Sequence, residues 1–247
     1  MRRTSRLALS LVAALGLSVV TAQADASITW DYEYTADVLP NDGSLGSGAW
    51  TVGGTHTAGP SVSGGVLTLD TGFNQWQNGY MLYNGSEWDS DDPDGTTFEV
   101  RIKVADRTGT QHIQIGKQNY YWELLVSKDR ISSAESASDG VAAGGPGVDL
   151  DMTQYHTIRV TISAGGTGSR VAQVYIDDNA TPAFTLNGFF ANLDRIVLAD
   201  GGGSTYWGAM DVDYIRWVNG EATAPPVPEP ATLGLIGLGV LMLTRRP

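Results

Sequence analysis

Cysteine is absent from the 247 residues, histidine occurs three times, and Lys and Arg together number 15 against 27 Asp and Glu. The first absence excludes disulfide scaffolds, thiol chemistry and cysteine-ligated metals. His56, His112 and His156 stand isolated in the sequence, with no HExxH and no close pair, which disfavours a zinc hydrolase. The shortage of cations leaves a formal charge of −12 and a pI near 4.5, which argues against nucleic-acid partners, because phosphate binding relies on clustered Lys and Arg. There is no P-loop, no dinucleotide fingerprint and no GxSxG elbow. Only 17% of residues are charged but 42% are hydrophobic, which is too apolar for a disordered chain and long enough to bury a core.

The two ends read as addresses. Arg2, Arg3 and Arg6 precede an apolar run from Leu7 to Val20, followed by the small residues around Ala22, Ala24 and Ala26. That order is a secretory signal peptide over residues 1–26, a signal helix too short for the ~20 residues of a membrane span. At the other end, a Pro-rich linker over 219–230 precedes the tail at 231–247, in which Ala231 to Thr244 is almost wholly apolar and Arg245 and Arg246 follow. Fourteen residues of helix cover roughly 21 Å, a short transmembrane helix whose terminal arginines stay cytoplasmic and leave everything upstream outside the inner membrane. Gly234, Gly237 and Gly239 give it a smooth face for close helix contact. The string VPEPATLGLIGLGVLMLTRRP resembles the PEP-CTERM sorting tail of Gram-negative bacteria, with Pro228, Glu229 and Pro230 on the motif positions. The resemblance implies an exosortase-type membrane protease as partner, an inner-membrane intermediate, and a final place at the cell surface or in the extracellular matrix.

Between the addresses, residues 27–226 hold 10 basic and 25 acidic groups, a balance of −15. Their apolar period is two. Phe98, Val100, Ile102 and Val104 alternate with Glu99, Arg101 and Lys103, and Ile158, Val160 and Ile162 alternate with Thr157, Arg159 and Thr161. Such alternation is that of antiparallel strands with one wet face. Further strands are expected over Ile28–Tyr34, Trp50–Gly53, Val66–Asp70, Tyr80–Tyr83, Ile113–Lys117, Tyr120–Ser127, Val171–Asp177, Arg195–Ala199 and Ala209–Trp217, separated by Gly, Asn, Asp, Ser and Pro clusters. The fold class is all-β, and ten or more short strands without an internal repeat favour a two-sheet antiparallel jelly-roll sandwich over 27–218. The series SGGVLTLDTG, TTFEVRIKV, YHTIRVTI, RVAQVYIDD, RIVLAD and MDVDYIRWVNG resembles the concanavalin A-like lectin/glucanase (LamG-like) domain in composition and order.

That resemblance implies either a carbohydrate-binding protein or a glycoside hydrolase, so a carboxylate pair is sought first. A retaining hydrolase needs two carboxyls ~5 Å apart. Glu87 with Asp89 begins an ExDxxE-like string, but Asp92 stands where the last Glu should be, and Pro93 and Gly95 break the segment. A hydrolase or polysaccharide lyase would have to draw a divergent pair from Glu87, Glu99 and Glu123. Asp89, Asp91 and Asp94, with Asp92, supply hard oxygens of the kind Ca²⁺ takes, and Asp200 beside Gly201–Gly203 is a second cation candidate. Seven Trp and ten Tyr against five Phe favour rings with a polar edge. Trp76, Tyr80 and Trp88 lie among Asn and Gln, and Tyr121 and Trp122 form a second group, a combination that can stack on sugars. Three readings stay open: a non-enzymatic glycan- or matrix-binding protein, which the sequence favours; an enzyme with a divergent carboxylate pair; and a structural matrix component whose rings are core.

Overall fold

A computed structural model describes residues 28–42, 50–53, 60–72, 78–83, 88, 94–106, 109–134, 145–166, 168–190, 195–200, 208–220 and 223. The expected leader, the PEP motif and the apolar tail lie outside the described residues. Among those described there is no helix. The strands in chain order are β1 Tyr32–Tyr34, β2 Thr51–Gly53, β3 Ser61–Ser63, β4 Val66–Gly72, β5 Asn78–Tyr83, β6 Thr96–Val104, β7 Gln111–Lys117 and β8 Tyr120–Ser127. They continue with β9 Arg130–Ser133, β10 Gly147–Asp149, β11 His156–Ile162, β12 Ala172–Ile176, β13 Phe184–Leu186, β14 Gly188–Phe190, β15 Arg195–Asp200 and β16 Gly208–Asn219.

Every pairing is antiparallel, and the strands form two eight-stranded sheets. The first runs β13-β12-β11-β6-β16-β4-β3, with β1 on β16; the second runs β10-β9-β8-β7-β15-β5-β2, with β14 on β8. Alternation sends Phe98, Val100, Ile102 and Val104 of the first sheet and Ile113, Ile115, Trp122, Leu124, Ile196 and Leu198 of the second into one shared core. The all-β sandwich expected from the period of two is therefore the fold. Strands β3, β9, β10, β13 and β14 were not legible, because three or four residues carry too little alternation and owe their conformation to a neighbouring strand.

The long strand β16 departs from simple alternation. Its register against β6 slips between Val212 and Tyr214, a bulge that turns Asp213 and Tyr214 outward together while Val212 and Ile215 stay in the core. Both chain ends of the sandwich meet here. Tyr32 pairs with Trp217 and stacks on its ring at 3.9 Å, and the Asn219 amide donates to Asp31 at 2.8 Å.

Several turns fix the register of the hairpins. Gly64 and Gly65, at φ +59° and +75°, join β3 to β4, and Gln118 and Asn119, at +53° and +59°, join β7 to β8. Two left-handed residues in succession form the turn whose twist matches that of the flanking strands.

Candidate functional site

Most of the aromatic residues expected to stack on a ligand are core. Trp88 is fully buried, donates its indole N–H to the Gly116 carbonyl at 3.0 Å and meets Trp217 edge-on at 5.8 Å. Trp122 points inward from β8 and packs against Tyr120 at 5.5 Å. Tyr121 is on the outer side of β8 but 3% exposed, with Phe189 of β14 over it at 5.4 Å. The expectation that Trp88, Trp122 and Tyr121 offer open ring faces is thus corrected: filling the space between two sheets takes large rings, and alternation assigns these indoles to it. Trp76 lies outside the described residues, and Tyr80 is described only by its backbone, paired with Leu198 and Val52.

The acids also separate. Glu99 lies on the outer side of β6 in the first sheet and Glu123 on the outer side of β8 in the second. Packed sheets are about 10 Å apart, so carboxyls on their two outer faces are too distant for either glycosidase geometry. The Glu99–Glu123 pair is therefore not formed, and Glu87 lies outside the described residues. Glu99 is instead fully buried in a polar lattice. It accepts from Arg159 Nε at 2.6 Å, from Arg216 Nε and Nη2 at 2.9 and 2.6 Å, and from the Tyr214 hydroxyl at 3.0 Å. Arg216 lies over the Trp30 ring, and further along the same face Arg101 pairs with Asp213 and Lys103 with Asp211. This face is a set of paired charges, with the buried Arg159 Nη1 left without a hydrogen-bond partner.

Of the expected cation ligands, Asp94 is exposed, Asp89 and Asp91 are outside the described residues, and Asp200 ends β15 with only its backbone described. Among the described residues no three His, Asp or Glu side chains gather to hold a metal.

The outer face of the second sheet holds a different arrangement. Register places Gln114 opposite Glu123, with His112 two residues further along β7. Gln114 Nε2 donates to Glu123 Oε1 at 3.1 Å, and His112 Nδ1 closes on the same oxygen. Glu123 is 5% exposed, and Val197 of β15 lies beside Gln114 in the same row. In the next row Gly116 sits opposite Tyr121, and Tyr121 in turn opposite Phe189, so a residue without a side chain adjoins a ring pair. Burial, and secondarily the Glu123 charge, pushes the Tyr121 phenol above its ordinary pKa of 10.0. Arg195 lies two residues from Val197 on β15.

His112 is therefore not isolated, as the sequence suggested. The signal that reveals it is the Gln118–Asn119 turn: once Lys117 is opposite Tyr120, the whole register follows and brings His112 and Gln114 to Glu123. His156 sits at the end of β11, held between the Asp177 carboxylate at 2.7 Å and the Asp151 carbonyl at 3.0 Å.

The chain carries a PEP-CTERM protein-sorting motif, matched over residues 226–246. No curated protein matches it in sequence. Among solved structures, it is similar in fold to a protein from work on endo-acting O-glycanases with which human gut microbiota initiate mucin breakdown, at 15% identity and a TM-score of 0.51, covering 77% of this chain and 99% of that one. The metal-free carbohydrate recognition domain of Emp46p is similar at 12% identity and a TM-score of 0.50, covering 78% and 100%. A bifunctional GH43-CE protein of Bacteroides eggerthii matches at 14% identity and a TM-score of 0.51, over 76% of this chain but 27% of that one. At these identities the likeness is one of fold.

Proposed function

We propose that this is an exported, surface-sorted, LamG-like sandwich that binds glycan on the outer face of its second sheet and carries out no reaction there. The observation that carries the proposal is the Glu123–His112–Gln114 constellation beside the half-buried Phe189 ring, which packs against the buried Tyr121. It places hydrogen-bonding groups next to apolar surface on one sheet face, as polyol recognition requires. The sorting motif supports export, with an exosortase-type protease acting on the tail after a leader over 1–26 has been removed. The carbohydrate recognition domain and the glycanases among its fold relatives support a sugar as ligand. Glu99 and Glu123, on the outer faces of different sheets, do not form a hydrolytic pair with one another.

The test is retention of the full-length protein, purified in mild detergent, on a panel of immobilised polysaccharides, with Ca²⁺ and with chelator. Retention on at least one polymer is expected, weakened about tenfold or more by Glu123→Ala, since a charge-assisted hydrogen bond is lost with the carboxylate. Retention on none of them, in either condition, overturns the proposal. Release of new reducing ends overturns its non-enzymatic part.

A further inference from the structure

The hydrogen-bonding groups of the Glu123 face are not evenly spent. Both donors that reach the carboxylate, His112 Nδ1 and Gln114 Nε2, converge on Oε1. Glu123 Oε2 and Gln114 Oε1 make no hydrogen bond among the described residues. Two strands from His112, in the row that passes through Leu125, the buried Ser132 hydroxyl has no partner either. Arg195, two residues from Val197 on β15, is engaged through other groups, but neither its buried Nε nor His112 Nε2 has a hydrogen-bond partner. At the Glu123–Gln114 contact itself the capacity left over is that of two acceptors, a carboxylate oxygen and an amide oxygen.

A site with spare acceptors takes a ligand that brings donors. Hydroxyls qualify, but an ammonium is the donor that gains most from a carboxylate almost wholly removed from water. The field of the whole body points the same way, because 25 acids against 10 cations over residues 27–226 repel polyanions and draw cations toward the surface. A uronate or a sulfate ester offers the site acceptors where it already has them and adds like charge beside Glu123.

We propose that this face selects glycans bearing free amino groups, with the ammonium of an amino sugar on Glu123 Oε2 and a neighbouring hydroxyl or amine on Gln114 Oε1. The inference rests on the glycan-binding reading and narrows it to a chemical class. An N-acetylated sugar loses the cation and presents an amide in its place, so it binds more weakly. A uronic-acid polymer is excluded.

The experiment compares retention of the full-length protein on three probes at pH 6 and physiological salt: partially deacetylated chitin, the same polymer fully N-acetylated, and alginate. Preference for the deacetylated polymer over the acetylated one by about tenfold is expected, with no retention on alginate. Because an acidic protein is drawn to any polycation, the decisive comparison is between two variants that lose the same single charge. Glu123→Gln should abolish the preference, and Asp37→Asn, on the exposed surface, should keep it. Should Glu123→Gln fail to fold, competition on the unaltered protein replaces it: soluble glucosamine oligomers should displace it and their N-acetylated counterparts should not. Equal retention on both chitin forms, equal displacement by both oligomers, or a preference that survives Glu123→Gln, overturns the amino-sugar assignment while leaving glycan binding intact. Retention on no polysaccharide at all overturns the underlying reading instead.

Discussion

At the scale of single residues, position relative to the pleat decides role more than chemical type does. Two glutamates on strands of similar composition end in opposite circumstances: Glu99 satisfied by two guanidinium groups and a phenol, Glu123 by an imidazole and an amide on one oxygen. Glu99→Gln leaves Arg159 and Arg216 facing a neutral partner in a buried place, and urea denaturation should show a loss of about 3–5 kcal/mol. Trp88→Ala should cost a comparable ~3–5 kcal/mol, since it empties a site against Trp217 and Lys117, yet leave polysaccharide retention per folded molecule unchanged. Loss of retention together with unchanged stability would put Trp88 at the ligand after all. A smaller effect belongs to Asp151, whose carboxyl is held below its ordinary value of 3.8 first by the Thr153 hydroxyl and then by the Thr153 amide. Thr153→Val should raise that pKa toward the ordinary value, as read by NMR titration. None of these roles was legible in sequence, because glutamate and tryptophan look alike on either side of a strand until the partner strand is known.

At the scale of elements, the turns carry the register. The Gly64–Gly65 turn is open on all sides, with nothing within 4 Å of where either side chain would begin. Gly65→Ala therefore tests the backbone alone. It should destabilise by about 1–2 kcal/mol, the cost of a left-handed conformation for a residue with a Cβ, measured by thermal or chemical denaturation. No change would mean that the turn relaxes to another type at no cost. The Gln118–Asn119 turn matters more for the proposed site, since a one-residue slip of β8 against β7 would carry Glu123 from the outer face to the core face, away from Gln114 and His112. The long strands were legible from their alternation. The bulge in β16 was not, because Asp213 breaks the pattern only by comparison with β6.

At the scale of the whole molecule, three phenols report on the pH range over which the sandwich is stable. Burial raises the pKa values of Tyr121, Tyr155 and Tyr214 above the ordinary 10.0, reinforced by Glu123 for the first, by Asp211 and Asp213 for the second and by Glu99 for the third. A group that holds its proton more tightly when folded contributes stability below its unfolded pKa and loses it as the pH rises through the folded one. Stability should therefore fall progressively above pH 10, and Tyr214→Phe should flatten part of that fall in denaturation curves taken between pH 9 and 11. The same scale divides what the sequence settled from what it left open. The period of two, the turn residues, the want of cysteine and the character of the C-terminal end are local properties of the chain, and they suffice for an all-β class and for the PEP-CTERM tail. Which rings fill the core, which acids stay apart and which histidine reaches which glutamate depend on strand order and register, the joint product of many pairings between distant segments, and so only the folded sandwich could assign the indoles to its interior and Glu123 to its face.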